Sequence, residues 1–220
     1  MISKFLPVLL IVANVMGAGM IVPQVVRLHR RGIVEGVSGV WVGVGIAMNA
    51  WWIAYALHSQ LWGIAPVSIA GLVLYSVIAW QYRAIVGLKA LHSLGLGALL
   101  GLIPLPFLVF GGWSAAALAI GLSYGIQFSP AAISAVTSKQ LEAVSPTTWT
   151  MAWIEAAIWF VYGITIDDPA LLLGGIGGTL MASIILLQLR PSRQASLPMR
   201  GSIDASIQTG RRVHQGCVPR

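Results

Sequence analysis

Seven stretches of about twenty apolar residues, separated by short charged or Pro/Gly-rich punctuation, constrain this chain more than any other feature. They fall at 5–28, 37–58, 62–82, 91–110, 113–136, 145–166 and 169–189. A helix rises about 1.5 Å per residue, so about 20 residues cross a hydrocarbon core of about 30 Å. Charged residues make up only 9% of the chain, against roughly 25% in soluble domains, so a water-facing surface cannot be assembled from it. In lipid the backbone must satisfy its own hydrogen bonds, which leaves helices for such segments. The expected fold class is all-α integral membrane, with seven transmembrane helices and the lipid bilayer as solvent. Residues 191–220 are polar, basic and rich in Ser, Gly and Pro, and read as a disordered tail.

The net charge of +7 acquires meaning from its distribution. With seven crossings, Arg27, Arg30, Arg31, Arg83, Lys89, Lys139 and the arginines from Arg190 onward share one side, and only Lys4 lies on the other. The positive-inside rule then puts the C-terminus in the cytoplasm and the N-terminus outside, with the plasma membrane as the expected location. The charge is a topology signal, aided by anionic lipid, and no nucleic-acid partner is expected. Cys217 is the single cysteine, so no internal disulfide is available. Pro219 and Arg220 fit a prenylation box poorly.

Sliding the chain against itself by 107 residues aligns Pro23 through Arg83 with Pro130 through Arg190 without a gap. Identities at this offset include Pro23/Pro130, Glu35/Glu142, Ser38/Ser145, Trp52/Trp159, Tyr55/Tyr162, Gly71/Gly178, Gln81/Gln188 and Arg83/Arg190. Apolar matches recur by chance in membrane proteins. The ordered series Pro…Glu-x-Val-Ser…Trp-x-x-Tyr does so far less readily. Two three-helix repeats are expected, at 5–83 and 113–190, with 91–110 as a linker helix between them. One intervening helix makes the copies parallel in the membrane. Lys4 and the apolar run after it have the form of a signal peptide, but removing the first helix would break a complete repeat.

The same residues carry a family resemblance. Pro23-Gln24, the Arg-rich loop, Glu35-Gly36-Val37-Ser38 and Trp52-x-x-Tyr55 resemble a PQ-loop repeat. Ser129-Pro130, Thr137-Ser138-Lys139, Glu142, Ser145-Pro146, Trp159-Phe160-Val161-Tyr162-Gly163, Asp168 and Gly178 are similar to the SWEET sugar transporters. The resemblance covers nearly all of 5–190 and implies a three-one-three helix layout. It implies alternating access between two bundles, with Pro23, Gln24 and Pro130 at a hinge or gate. Proline also kinks membrane helices statically, which is the alternative reading. Trp52 and Trp159 match the Trp that lines the family's substrate cavity, interface packing being the alternative. Trp41, Trp62, Trp113 and Trp51 suit an interfacial role.

Glu155 is the sharpest single feature. It lies near the middle of its span, one helical turn before Trp159, so the two share a face. An acid at bilayer centre costs about 2.5–3.5 kcal/mol on insertion scales and normally faces a cavity or the bundle interior. SWEET-like proteins commonly have Asn at this position, so the acid suggests altered polar recognition or proton coupling. A protonated Glu bonded to another helix is the alternative. Asn49 is its nearest counterpart in the first copy. Counted from Trp-x-x-Tyr, the family's third-helix Asn positions are Ser68 and Gly175 here, so those partners for sugar hydroxyls are missing. Gly174 and Gly178 suggest close helix packing, and Pro146 a helix start.

No enzyme constellation, cofactor motif or metal-ligand spacing stands out. Asp167 and Asp168 read as a solvated turn. The functional expectation is a transporter of a small polar solute, a sugar first, by uniport or with protons. Trp52, Trp159, Asn49, Glu155, Ser68 and Gly175 are the expected substrate-binding residues. A proton-coupled amino-acid or metabolite carrier and a non-transporting receptor or assembly factor are the alternatives. Association into homo-oligomers is compatible with the sequence.

Overall fold

A computed structural model describes residues 5–32, 34, 37–137 and 146–189. The tail at 191–220, Glu35, Glu142, Ser145 and Lys139 lie outside these residues. Among the described residues the chain is all helical, with no strand. The helices are α1 (Leu6–Arg31), α2 (Gly39–Ser59), α3 (Ala65–Val86), α4 (Ala90–Leu100), α5 (Pro104–Thr137), α6 (Pro146–Ile166) and α7 (Pro169–Gln188). Several are long and apolar enough to cross a membrane, as expected of an integral membrane protein. The stretch Ala65–Thr137 covers 73 residues of largely apolar sequence, divided among α3, α4 and α5. At about 1.5 Å per residue it has the length for more than one crossing.

Local chemistry sets the element ends. The Ser38 hydroxyl caps α2 by accepting the Trp41 N–H at 3.3 Å, and the Asp168 carboxylate caps α7 by accepting the Leu171 N–H at 2.9 Å; such caps satisfy orphan donors of the first turn. Pro146 begins α6 as expected. The expected helix at 91–110, in contrast, is interrupted. Helix α4 ends at Leu100, and α5 starts afresh at Pro104. Pro104 and Pro106 have no N–H to continue the ladder, and proline rings clash with the preceding turn. The Trp51 indole N–H donates to the Gly101 carbonyl at 2.9 Å, supplying a partner for a backbone acceptor at the break. Gly112 (φ 67°, ψ −167°) is not helical and divides α5 again. That backbone is open to glycine and strained for other residues.

Helix α3 packs on α1 and α2, and α7 packs on α5 and α6. The halves meet where α1 touches α6 and α2 touches α5, while α4 lies along α2. Small residues bring these helices close, as membrane packing favours. A Cβ on Gly43 or Gly97 would strike the backbone of the other helix, and one on Gly175 would strike Phe160 on α6.

The core is distributed unevenly. At the end bearing the α2–α3 and α6–α7 turns, one cluster joins both halves, with Ala13, Tyr55, Ile64, Ile120, Tyr162 and Leu171 among its buried members. Toward the other end the clusters separate. Ile21, Val42, Tyr75 and Ile78 pack within the first half, and Ala132, Ala135, Ile185 and Leu189 within the second.

Candidate functional site

A cavity lies between the halves, enclosing about 650 Å³ of space, part of it continuous with the surroundings. All six residues expected from the sequence to bind substrate line it: Asn49, Trp52, Ser68, Glu155, Trp159 and Gly175.

Glu155 on α6 is only 3% exposed. Its Oε1 accepts the Trp159 indole N–H at 3.1 Å, and its Oε2 accepts the Tyr124 hydroxyl of α5 at 2.9 Å. The first of these bonds confirms that Glu155 and Trp159 share a face. Across the interface stands Gly17 of α1, where a Cβ would run into the carboxylate and Val67. The acid therefore sits where the halves meet, held by α5 and α6 of one half and faced by a glycine of the other.

Asn49 is arranged differently. Its Nδ2 donates to the Gly45 carbonyl at 2.7 Å, one turn back along α2. Its Oδ1 lies over Gly71 of α3, where a Cβ would overlap it. Tyr75 on α3 packs its ring against Gly45 and meets Trp41 edge-on, with ring centroids 4.9 Å apart. The Tyr75 hydroxyl accepts the Gln127 side-chain N–H at 3.3 Å, a bond between the halves. Trp52 and Trp159 are buried, and Trp52 faces Gly174 of α7. Gly174 thus serves the cavity wall, whereas Gly178 packs against Ala156 and Tyr124. Gly175 has no side chain and reaches the wall with its backbone, and a Cβ there would strike Phe160 of α6.

Pro23 and Gln24 are not part of the wall. Pro23 lies exposed within a continuous α1, Gln24 beside it is half-buried, and Pro130 lies within α5 with its side chain outside the description. Trp62 is 63% exposed, in keeping with an interfacial role. Trp41, Trp51 and Trp113 are half-buried and meet Tyr75, Gly101 and His58.

The expectation of a solvated turn at Asp168 is corrected. Asp168 is 8% exposed, and its Oδ2 accepts the Tyr55 hydroxyl at 2.6 Å while Oδ1 caps α7. One carboxylate therefore ties α2 of the first half to the start of α7 in the second. Beside it His58 stacks on Trp113 at 4.4 Å. Asn14 of α1 clamps the start of α3, donating to Gly63 O at 2.9 Å and accepting the Val67 N–H at 2.7 Å. These bonds lie at the end where the halves share a core.

Sequence reasoning passed over Tyr75, Tyr124 and Gln127. At the repeat offset their mates are Ala182, Gly17 and Met20, so recurrence, the signal that singled out Trp52 and Trp159, is silent at all three. Neither the family models nor the curated proteins compared with this chain give a match.

Proposed function

We propose that this protein carries a small polar solute across a membrane, as a transporter of the PQ-loop/SWEET class. The observation that carries the reading is a cavity between two halves that share a core at one end and keep separate cores at the other. In this reading the seven segments form two three-helix bundles around α3 and α7, with the broken 90–111 stretch as linker. The reciprocal pairing of α1 with α6 and α2 with α5 supports it, since an offset of 107 exchanges those two contacts.

The basic loops place the separate-core end in the cytoplasm, and the plasma membrane is the proposed location. In this reading the conformation is the inward-facing member of an alternating pair. Tyr55, Asp168 and the shared core close the outer end. Transport requires that this contact break while the inner halves, with Pro23 and Pro130 near their ends, come together. Ions and solutes move in such a scheme by rocking of one bundle against the other around a fixed site. Trp52 and Trp159 offer flat apolar faces to the solute, and Glu155, Asn49 and Ser68 offer polar contacts.

Uptake by purified protein in liposomes tests the reading, with labelled sugars, amino acids and organic cations. Saturable flux that Trp52→Ala/Trp159→Ala protein lacks is the expected result. No flux of any solute, in protein shown to be folded, overturns it in favour of a receptor or assembly role.

A further inference from the structure

The hydrogen-bonding inventory of the cavity is one-sided. The Tyr124 hydroxyl and the Trp159 indole both direct their hydrogens to Glu155. One amide hydrogen of Asn49 is taken by the Gly45 carbonyl, and one of Gln127 by the Tyr75 hydroxyl. An ionised carboxylate offers about four acceptor positions, so two of those on Glu155 remain. Among the described residues lining the cavity, Glu155 is the one acid, and none is Lys, Arg or His to compensate it.

A carboxylate this deeply buried needs a counter-charge or a proton. The walls around it are aromatic: Trp52, Trp159, Tyr75, Tyr124 and Phe128 all line the space. Ring faces attract ammonium groups, and desolvation strengthens the attraction. Resting on the transporter reading above, we propose that the solute recognised is a small organic cation bearing an ammonium group. Glu155 is its counter-ion, and the aromatic walls surround its alkyl substituents. A neutral polyol in the same place leaves the carboxylate without a partner charge.

The test uses the full chain in detergent, with the cavity tryptophans as fluorescent reporters. Choline is compared with its uncharged carbon isostere 3,3-dimethylbutan-1-ol, and ethanolamine with ethylene glycol. Saturable binding is expected, the charged member of at least one pair binding about tenfold or more tighter than its neutral partner. Glu155→Gln is expected to erase that preference. Gly17→Ala, which crowds the carboxylate from α1 and keeps the acid, is expected to reduce it, so the inference does not depend on one variant folding. Equal binding of the neutral members, no saturable binding by either pair, or an undiminished preference in folded Glu155→Gln protein would overturn it. Ammonium binding without flux in liposomes would sink carriage and leave this inference standing. Flux of a neutral sugar without ammonium binding would do the reverse.

Discussion

The two halves of the molecule share a plan and differ in chemistry. Trp52 and Trp159 stand at equivalent positions and both line the cavity. Around them equivalence fails. Glu155 corresponds to Met48, Tyr124 to Gly17, Tyr75 to Ala182 and Ser68 to Gly175. The second half supplies the acid and its hydroxyl donor. The first supplies Asn49, Ser68 and Tyr75, and the glycine that makes room for the acid. Residues that recur build the shape of the site, and residues that do not recur give it polarity.

Exchanging the halves' chemistry is the strongest way to break this comparison. Gly175→Ser, which gives α7 the residue of its mate, drives a side chain into Phe160 on α6. Overpacking of this kind costs about 1–3 kcal/mol or more. A large loss of folded protein is expected in a thermal unfolding assay in detergent. The reciprocal Ser68→Gly should cost only about 0.5–1 kcal/mol, the usual penalty for glycine within a helix. Equal losses would show that the two third helices are packed alike.

Glu155→Gln sharpens the comparison at the level of charge. Choline is a permanent cation, so its movement is not confounded by passive entry of a neutral base. With one carboxylate serving proton and cation in turn, an acidic vesicle interior accelerates choline uptake by the wild-type protein. The proton leaves down its gradient, and the freed carboxylate accepts the cation at the less acidic face. Besides Glu155 itself, the titratable groups facing this position are the hydroxyls of Tyr124 and Tyr75, while α1 presents Gly17. Acceleration that survives in Glu155→Gln protein would locate coupling elsewhere.

Smaller effects belong to the bonds between the halves. Tyr55→Phe removes the hydroxyl that donates to Asp168. Bonds to charged groups contribute about 1.5–3 kcal/mol, so cavity residues should become more reactive from the outer side. Tyr124→Phe removes one donor from Glu155 and keeps the ring. That donor serves the same carboxylate that would meet the ammonium group, so a few-fold change in ammonium affinity is expected in the fluorescence titration.

How far the sequence reached follows from the same division. Lipid imposes long apolar segments, so the class and most helix bounds were legible from hydropathy and charge. The break at Gly101 was not read, because 91–110 is largely apolar and hydropathy alone hides the stop that Pro104 and Pro106 impose on the ladder. Glu155 declared itself, since an acid within an apolar helix has few alternatives. Tyr75, Tyr124 and Gln127 did not, because tyrosine and glutamine in a membrane helix look the same whether they face a cavity or a neighbour. Asp168 hid in a turn, where an aspartate usually caps or meets water. Its bond to Tyr55 joins residues 113 positions apart, and only the fold brings them together.

Alternating access requires a cavity between the halves that is reached from one side at a time. Ser68→Cys places a nearly isosteric thiol on its wall, in a background where Cys217 is replaced by Ser. Labelling with a membrane-impermeant maleimide is then compared between intact cells and inverted membrane vesicles. Reaction in inverted vesicles and protection in intact cells are expected, with protection lost when Tyr55→Phe is added. Equal labelling from both sides, or reaction from the outer side alone, would contradict it.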